Sequence, residues 1–376
     1  MARTRIVQYD DAAAAQDMRT VVSLHSHTNL SKEVLGFLPG WAARTPLVKH
    51  VMARELRRHE RTSGCAPDFS RAYWRPPLSP RQVFDSESAQ AADRFAAAAI
   101  VSITDHDSID ASLSLAAIGL GECCPISTEW TVPFRGQVFH VGLHNLPPAA
   151  AAAMMHEFKA FTARPTEPVL RDLLAWVNAT PSALTVLNHP LWNAHVDVNQ
   201  CASALAEFVR IHRPYLHATE INGYRGHAEN KAAIRLGREW DLPVLAGGDR
   251  HGRAANAMVN VTSSGTVAEF VDEVRRGGVA HTVVMPEYRE HSAVRVLAVV
   301  ADVLNENGLG DPLQRHWTQR VFVVREDGRH QRLAEFWGPK APAILRGCAS
   351  IAAFLGGSRA RQAIRLGFPV ENGGLL

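Results

Sequence analysis

Seven short apolar runs of strand length recur along this 376-residue chain, and they constrain its fold more than any other feature. They are residues 21–24, 99–103, 125–128, 137–143, 184–188, 218–221 and 243–247. Segments with the 3.6-residue periodicity of helices separate most of them, at residues 80–97, 168–177, 201–212 and 228–240. Strands that alternate with helices are typical of βα units and a parallel sheet.

Histidines and carboxylates stand at or near the carboxyl ends of these runs. The members of this set are His25, His27, His106, Glu129, His140, His189, Asp249 and His251. Neutral imidazole and ionised carboxylate bind divalent metal ions at neutral pH. In the run VVSLHSHTNL, His25 and His27 are two residues apart and therefore share one face of a strand. Because barrels of alternating strands and helices carry their chemistry at the carboxyl ends of the strands, the sequence predicts one cluster that holds several metal ions.

Each fragment alone also has an ordinary structural interpretation. A His-x-His pair is more often two structural histidines than a metal site. Asp107 or Ser108 is a candidate N-cap of the following helix. Glu129 is a candidate solvated carboxylate, and His189 before Pro190 is a candidate turn residue. Independent accidents would not place a ligand-type side chain after nearly every strand-like run, so the repetition favours metal binding.

The ordered motifs LHSHT, ITDHD, STEW followed eleven residues later by His140, LNHP and GGDRH resemble those of the PHP (polymerase and histidinol phosphatase) superfamily. The resemblance covers about residues 20–285. It implies an α/β fold, a distorted (β/α)7 barrel with up to three divalent ions at the carboxyl ends of its strands. It also implies phosphoester hydrolysis as the commonest activity.

The resemblance also implies a ligand set for each ion. The first ion would be held by His25, His27, Glu129 and Asp249; Glu129 would bridge to a second held by His140 and His189; a third would be held by His106 and His251.

One departure from the family pattern affects the third ion. The usual x-x-Ser-Asp-Gly after His-x-His-Ser is replaced by residues 29–33, so Lys32 stands where the family has an acidic ligand. A protonated lysine repels a nearby cation. Three alternatives follow: Glu33 substitutes as a ligand, the third ion is lost or weak, or Lys32 anchors a substrate phosphate. We expect two to three divalent ions, Mn, Fe or Zn, with a firm two-ion core.

The motifs support a hypothesis for catalysis. A water activated by the metal ions would hydrolyse a phosphomonoester or phosphodiester of a small metabolite or nucleotide. His106 or His251 would protonate the leaving group if the third ion is absent, and Asp105 would orient a ligand from outside the first shell. Candidate substrate-binding residues are Lys32, Arg225, Arg250 and Arg253. Arginines on loops are also commonly just solvated.

Two other function classes stay open. The first is a metal-dependent hydrolase of a non-phosphate bond, such as an amidohydrolase-like enzyme, since a fold does not decide its chemistry. The second is a non-catalytic metal-binding regulatory module. The net charge of +3, from 40 basic and 37 acidic residues, and the lack of a sustained basic run argue against nucleic-acid binding. The expected partner is a small phosphorylated substrate.

Cysteine usage and hydropathy bear on the compartment. The cysteines show no CxxC spacing and are odd in number, which predicts buried thiols in a reducing cytoplasm; they are Cys65, Cys123, Cys124, Cys201 and Cys348. The N-terminal residues lack the apolar core of a signal peptide. No apolar stretch approaches the roughly 18 residues of a membrane span. We therefore expect a cytoplasmic protein without a membrane segment.

Two regions lie outside the predicted core of the barrel. Residues 1–290 form the predicted barrel domain, which contains an insertion at 34–77 after the first strand. The insertion is either a lid over the site or a helix at 46–61 packed on the barrel rim. Residues 291–376 are predicted to form a mostly helical C-terminal extension that serves packing or dimerisation. A homo-oligomer is one of the two alternatives that this extension leaves open.

Overall fold

The computed structural model describes residues 2–10, 18–36, 46–64, 68, 71–192, 198–305, 316–325, 328–337, 341–367 and 375. Its strands are β1 (Arg3–Gln8), β2 (Thr20–Ser26), β3 (Glu33–Val34), β4 (Tyr73–Trp74), β5 (Ala98–Ser102), β6 (Thr128–Phe134), β7 (Gln137–His144), β8 (Leu184–Leu187), β9 (Ala218–Asn222), β10 (Val244–Arg250), β11 (Met258–Thr262), β12 (Val279–Val284), β13 (Val321–Val324) and β14 (His330–Arg332). Its α-helices are α1 (Pro46–Ser63), α2 (Pro80–Phe95), α3 (Asp110–Ala117), α4 (Ala151–Ala163), α5 (Glu167–Asn178), α6 (Val198–His212), α7 (His227–Glu239), α8 (Val267–Arg275), α9 (Ser292–Asn305), α10 (Leu333–Trp337), α11 (Ala343–Gly356) and α12 (Ser358–Gly367).

A central, mostly parallel sheet organises these elements. Its order is β1-β12-β11-β2-β10-β9-β8-β7-β6, and β5 pairs with β2. The parallel pairs include β2 with β5, β10 with β2, β10 with β9, and β8 with β9. Every residue of β2 and β10 is buried, as expected of strands that are covered on both faces. The fold is therefore mixed α/β, with helices packed around the sheet.

The edges β5 and β6 approach one another without forming a ladder in the described residues. One bridge joins His106, after β5, to Glu129 in β6. The Asp107 amide donates to the Glu129 carbonyl at 3.0 Å, and the Glu129 amide donates to the Asp105 carbonyl at 3.3 Å. These bonds bring the end of β5 to the start of β6. A closed seven-stranded barrel stays a prediction.

Most predicted elements coincide with observed ones, with one clear displacement. The run at 125–128 was expected to be a strand, but β6 begins at Thr128 and extends to Phe134. In this strand Trp130, Val132 and Phe134 are buried while the residues between them are less so, which is the period of a half-covered strand. The helix expected over 80–97 stops at Phe95, because Ala96 adopts a left-handed conformation. Strands β1, β11 and β12 were not predicted.

A second, four-stranded sheet joins the insertion to the C-terminal region. Its order is β14-β13-β4-β3, so β13 pairs with β4, and β4 pairs with β3. Glu33 and Val321 both pair with Trp74. Helix α1 matches the helix expected at 46–61. The two regions outside the predicted barrel core are thus joined to each other next to β2.

The exposure of the cysteine thiols agrees with the prediction only in part. Cys124 and Cys201 are buried, Cys123 is half-buried, and Cys348 is exposed, contrary to the expectation of buried thiols. Cys65 lies outside the described residues. Across the described part of the chain, every helix is too short or too polar to cross a bilayer.

His217 makes the fold sensitive to acid, and this generates a testable prediction. Its Nδ1 accepts from the Thr185 amide at 2.9 Å, and its Nε2 lies 3.0 Å from Asn178 Oδ1. Burial, aided by Arg275 and Arg213, lowers the pKa of His217 to about 3. Because this folded-state pKa lies below the unfolded value, the unfolded chain binds the extra proton. The stabilisation is therefore complete above about pH 6.5 and is lost as the pH falls toward 3.

We expect His217→Gln to lose about 1–2 kcal/mol less free energy of unfolding than wild type between pH 7 and pH 5. Urea denaturation with EDTA present at both pH values would measure it. An equal loss in both proteins would contradict the prediction.

Candidate metal centre

The eight ligand-type residues predicted from the sequence lie in one cluster, with six of them buried and His106 and His251 half-buried. Most end or follow a strand, but Glu129 is the second residue of β6 and His140 lies inside β7. Several carry backbone conformations that are unusual for residues other than glycine: φ is 69° at His25, 23° at His189 and 50° at Asp249. Such conformations store strain and concentrate at functional sites. The chain therefore leaves regular strand geometry where these side chains turn toward each other.

Glu129 lies at the centre of the cluster. Its Oε2 is 3.0 Å from His25 Nε2, 3.4 Å from His27 Nε2 and 3.4 Å from His106 Nε2. Its Oε1 is 3.1 Å from His189 Nε2 and 3.3 Å from His140 Nδ1. The two oxygens of one carboxylate thus face two different groups of imidazoles.

The first group has the spacing of a metal site. The Nε2 atoms of His25 and His27 each lie 3.0–3.6 Å from Glu129 Oε2 and from Asp249 Oδ1. Ligands at about 2.1 Å from a tetrahedral ion lie about 3.4 Å from one another. These four atoms need little movement to surround one ion.

The second group contains His140, His189 and Glu129. The His140 Nδ1 is buried and has no hydrogen-bond partner among the described residues. Burial lowers the pKa of His140 to about 4, although Glu129 opposes the shift. The imidazole is therefore neutral at physiological pH, the form that binds a metal.

A third group forms around Glu33. Its Oε2 lies 3.2 Å from both His106 Nε2 and His251 Nε2, and its Oε1 accepts from Ser31 Oγ at 2.5 Å. Burial lowers the pKa of His106, but Glu33 and Glu129 outweigh it and raise that pKa to about 10. The carboxylates therefore favour a positive charge in this group.

The geometry distinguishes between the alternatives for residues 32 and 33. Glu33 is buried in the third group, whereas Lys32 is exposed and its Nζ lies 5.4 Å from the Tyr73 ring centroid. Lys32 immediately precedes β3, and its side chain is exposed beside Tyr73 while that of Glu33 is buried in the cluster.

Glu220 orients His25, and sequence reasoning missed it. Its Oε2 lies 2.7 Å from His25 Nδ1, and its Oε1 accepts from Asn222 Nδ2 at 2.8 Å. Burial lowers the pKa of His25, but Glu129, Glu220 and Asp249 outweigh burial and raise it well above its usual value. A carboxylate on one nitrogen of a metal-binding histidine fixes the ring and its tautomer. The signal available was a glutamate inside the strand-like run 218–221.

Asp105 and Asp107 serve the backbone. Asp105 Oδ1 accepts from the Thr28 amide and Oδ2 from the Thr28 hydroxyl, both at 2.6 Å, which fixes the turn after His27. Burial raises the pKa of Asp105 to about 7 against these hydrogen bonds. Asp107 Oδ1 accepts from the Thr131 amide at 2.9 Å, so its side chain links to β6.

The predicted substrate-binding arginines divide between the cluster and other contacts. Arg225 Nη2 lies 3.6 Å from Asp249 Oδ2 at the edge of the cluster. Arg250 is buried, with Nη1 3.0 Å from Glu87 Oε1, so its guanidinium serves a structural ion pair. Arg253 is exposed, and its amide donates to Asp302 in α9.

Two tryptophans pack against histidines of the cluster. The Trp74 ring centroid is 5.6 Å from that of His251, and Trp192 stacks on His140 at 5.5 Å. Trp74 belongs to β4, in the sheet that joins the insertion to the C-terminal region. The insertion therefore contributes a side chain at the third group, and its role as a lid stays a prediction beside the rim-packed helix.

The donor set fits divalent metal ions. Four buried carboxylates each lie within 3.4 Å of an imidazole nitrogen: Glu33, Glu129, Glu220 and Asp249. Buried charges are unfavourable unless they are paired or coordinate a metal. His27 Nε2, like His140 Nδ1, is buried without a hydrogen-bond partner among the residues described. Bound cations would satisfy both requirements.

Comparisons with known proteins do not identify a family. No protein-family model matches the chain, and no curated protein does. A proposed metal-dependent phosphoesterase from Bifidobacterium adolescentis has a similar solved structure, at TM-score 0.30 and 14% identity over 47% of this chain and 84% of its own. An amidohydrolase from Chromobacterium violaceum, solved with sulfate and no metal, aligns at TM-score 0.32 and 14% identity over 47% of this chain and 83% of its own. Both similarities are weak.

Gly247 is required by the packing of Glu220, which gives a second prediction. A Cβ at Gly247 would lie 2.1 Å from Glu220 Oε2. Gly247→Ala therefore displaces the carboxylate that orients His25, and we expect metal affinity to fall about 10- to 100-fold. Titration with Mn²⁺ against a competing chelator would measure the affinity. Gly347→Ala is the matched control, because a Cβ there meets nothing within 4 Å. Equal affinity in the two variants would contradict the prediction.

Proposed function

We propose that this protein is a metal-dependent hydrolase that cleaves a phosphoester of a small metabolite or nucleotide. The observation that carries the proposal is the position of the Glu129 carboxylate, whose two oxygens face separate groups of histidines. A carboxylate in this arrangement bridges two ions in binuclear hydrolases. The PHP-like barrel expected from the sequence motifs is consistent with it.

The proposed ion positions follow the three groups. His25, His27, Glu129 and Asp249 would hold the first ion; Glu129, His140 and His189 the second; Glu33, His106 and His251 the third. Bound there, the ions would polarise the phosphoryl group and lower the pKa of a water nucleophile.

The protein's own residues prepare this site. Glu220 accepts the Nδ1 proton of His25, so Nε2, which lies 3.0 Å from Glu129 Oε2, is the nitrogen that would bind an ion. Asn188 Nδ2 donates to Glu129 Oε1 at 3.0 Å and so fixes the carboxylate plane. Asp105 holds the turn that follows His27. Each contact reduces the reorganisation that binding would otherwise require.

Charge favours a phosphoester over a neutral substrate. Arg225 adds a guanidinium beside the proposed ions, and a guanidinium pairs with phosphate oxygens. A neutral amide would offer this guanidinium no anionic oxygen beyond those of Asp249 and Glu229. His106 and His251, which share Glu33, belong to the proposed third ion site, so the leaving-group acid expected from the sequence applies only without that ion.

Turnover tests the proposed function. We expect purified protein with Mn²⁺ to release inorganic phosphate from a few members of a panel of mononucleotides, sugar phosphates and dinucleotides, the last with a phosphomonoesterase added. EDTA should abolish release, because the carboxylates and imidazoles alone carry no nucleophile of sufficient reactivity. The His25→Ala, His27→Ala protein is the control and should show background release only. Release unaffected by EDTA or by these substitutions would refute the proposal.

The number of bound ions tests the role of Glu33. We expect Glu33→Gln to bind one ion fewer per chain than wild type, because the amide weakens the group shared by His106 and His251. Lys32→Gln, at the exposed neighbouring position, should retain the wild-type number. Elemental analysis after gel filtration would count the ions. A normal count in Glu33→Gln, or a loss in Lys32→Gln, would show that the third site is built differently.

A further inference from the structure

Two buried donors near the second group, Trp192 Nε1 and Arg225 Nε, make no hydrogen bond within the described residues. Arg225 Nε faces Glu229 Oε1 at 3.7 Å, beyond hydrogen-bond distance. Such groups in native proteins generally serve water or a ligand, since leaving them unpaired is unfavourable. Neither group is a metal ligand, because a tryptophan N–H and a guanidinium are hydrogen-bond donors only.

The Trp192 ring is held against the imidazoles. Its amide donates to the His189 carbonyl at 3.0 Å, closing a turn with Pro190 at the second position, where proline is favoured. The indole stacks on His140 at 5.5 Å with an interplanar angle of 23°, and it meets His189 at 6.0 Å and 70°. The turn and the two rings fix the indole at the second group.

The Arg225 guanidinium is held beside the same indole. Its Cζ lies 5.7 Å from the Trp192 ring centroid, within the range of a cation–π contact. The Arg225 carbonyl accepts from Tyr288 Oη at 3.2 Å and from Arg295 Nη2 at 2.7 Å, which anchors its backbone. Its contacts with Asp249 at 3.6 Å and with Glu229 at 3.7 Å are both longer than a hydrogen bond, so the guanidinium keeps N–H groups available to a ligand.

We propose that Trp192 and Arg225 form an oxyanion-binding pair for the phosphoryl group of the substrate. The indole ring holds the guanidinium in place, and the indole N–H and the guanidinium donate to different non-bridging oxygens. The proposal rests on the proposed function and specifies how that site recognises its substrate. A tetrahedral oxyanion suits it, because such an anion accepts several hydrogen bonds at once.

Binding of inorganic phosphate to the Mn²⁺-loaded protein tests the pair without turnover. Calorimetry would give Kd for wild type and for the variants Trp192→Phe, Trp192→Ala and Arg225→Ala, with metal content measured in each. Trp192→Phe keeps a ring but removes the N–H, so we expect about tenfold weaker binding. Trp192→Ala also removes the support of the guanidinium and should weaken binding further. Trp176→Phe, on an exposed tryptophan of α5, is the matched control and should match wild type.

Coupling of the two residues is the second measurement. If the indole positions Arg225, the loss in Trp192→Ala, Arg225→Ala should be smaller than the combined losses of the single variants. Unchanged Kd in Trp192→Phe and Trp192→Ala would overturn the proposal, as would additive losses. Weaker binding that tracks loss of metal would also overturn it, since Trp192 would then only support His140.

The outcome is separable from that of the proposed function. Phosphate binding that depends on Trp192 and Arg225, in a protein that releases no phosphate from any ester, would support the pair and refute the hydrolase. If the protein releases phosphate from an ester but its affinity for phosphate does not depend on Trp192, the oxyanion-binding pair is refuted and the hydrolase is supported. Absence of phosphate binding to the wild-type loaded protein would overturn the pair.

Discussion

The central position of Glu129 among the imidazoles is the constraint on which the site depends. One buried carboxylate is approached by imidazoles on both oxygens, and the same imidazoles lie close to the buried carboxylates of Glu33, Glu220 and Asp249. In a medium of low dielectric constant such a set is stable only with compensating positive charge. The raised pKa of His25 and the raised pKa of His106 express that demand as an affinity for protons. Divalent ions would meet the same demand at the pH where both histidines would otherwise be protonated.

The backbone around this carboxylate is shaped for close approach. Gly247 leaves room for the Glu220 carboxylate, and Gly248 leaves room for Asn256, whose Oδ1 would lie 2.2 Å from an added Cβ. Asp249 follows with a positive φ. In the motif GGDRH the two glycines therefore serve the packing behind His25, while Asp249 and His251 face the cluster. The pairing of the buried strands β2 and β10 holds Asp249 in this strained conformation.

Local patterns in the sequence were sufficient to predict the ligand-type residues of the cluster. They were insufficient to predict the residues that hold those side chains in place. The eight ligand-type residues were predicted because most of them end an apolar run, with His140 inside one, and strand ends converge in a sheet with parallel neighbours. Glu220 was missed because it lies inside a run, where a single glutamate has no distinguishing neighbour. The ion pair of Arg250 with Glu87 joins β10 to α2, and no local pattern predicts such a distant partner. The start of β6 was misplaced because the apolar residues that precede it are not part of the strand.

The sheet that carries Glu33 has a consequence for the order of folding. Glu33 lies in β3, which pairs with β4, and β4 pairs in turn with β13 at Val321–Val324. Nearly three hundred residues of chain therefore separate the first and third strands of this sheet. Contacts across such distances form late, because the entropy of closing the loop must be overcome first. During synthesis, the strand that completes the sheet behind Glu33 and Trp74 emerges from the ribosome well after all eight predicted ligand-type residues.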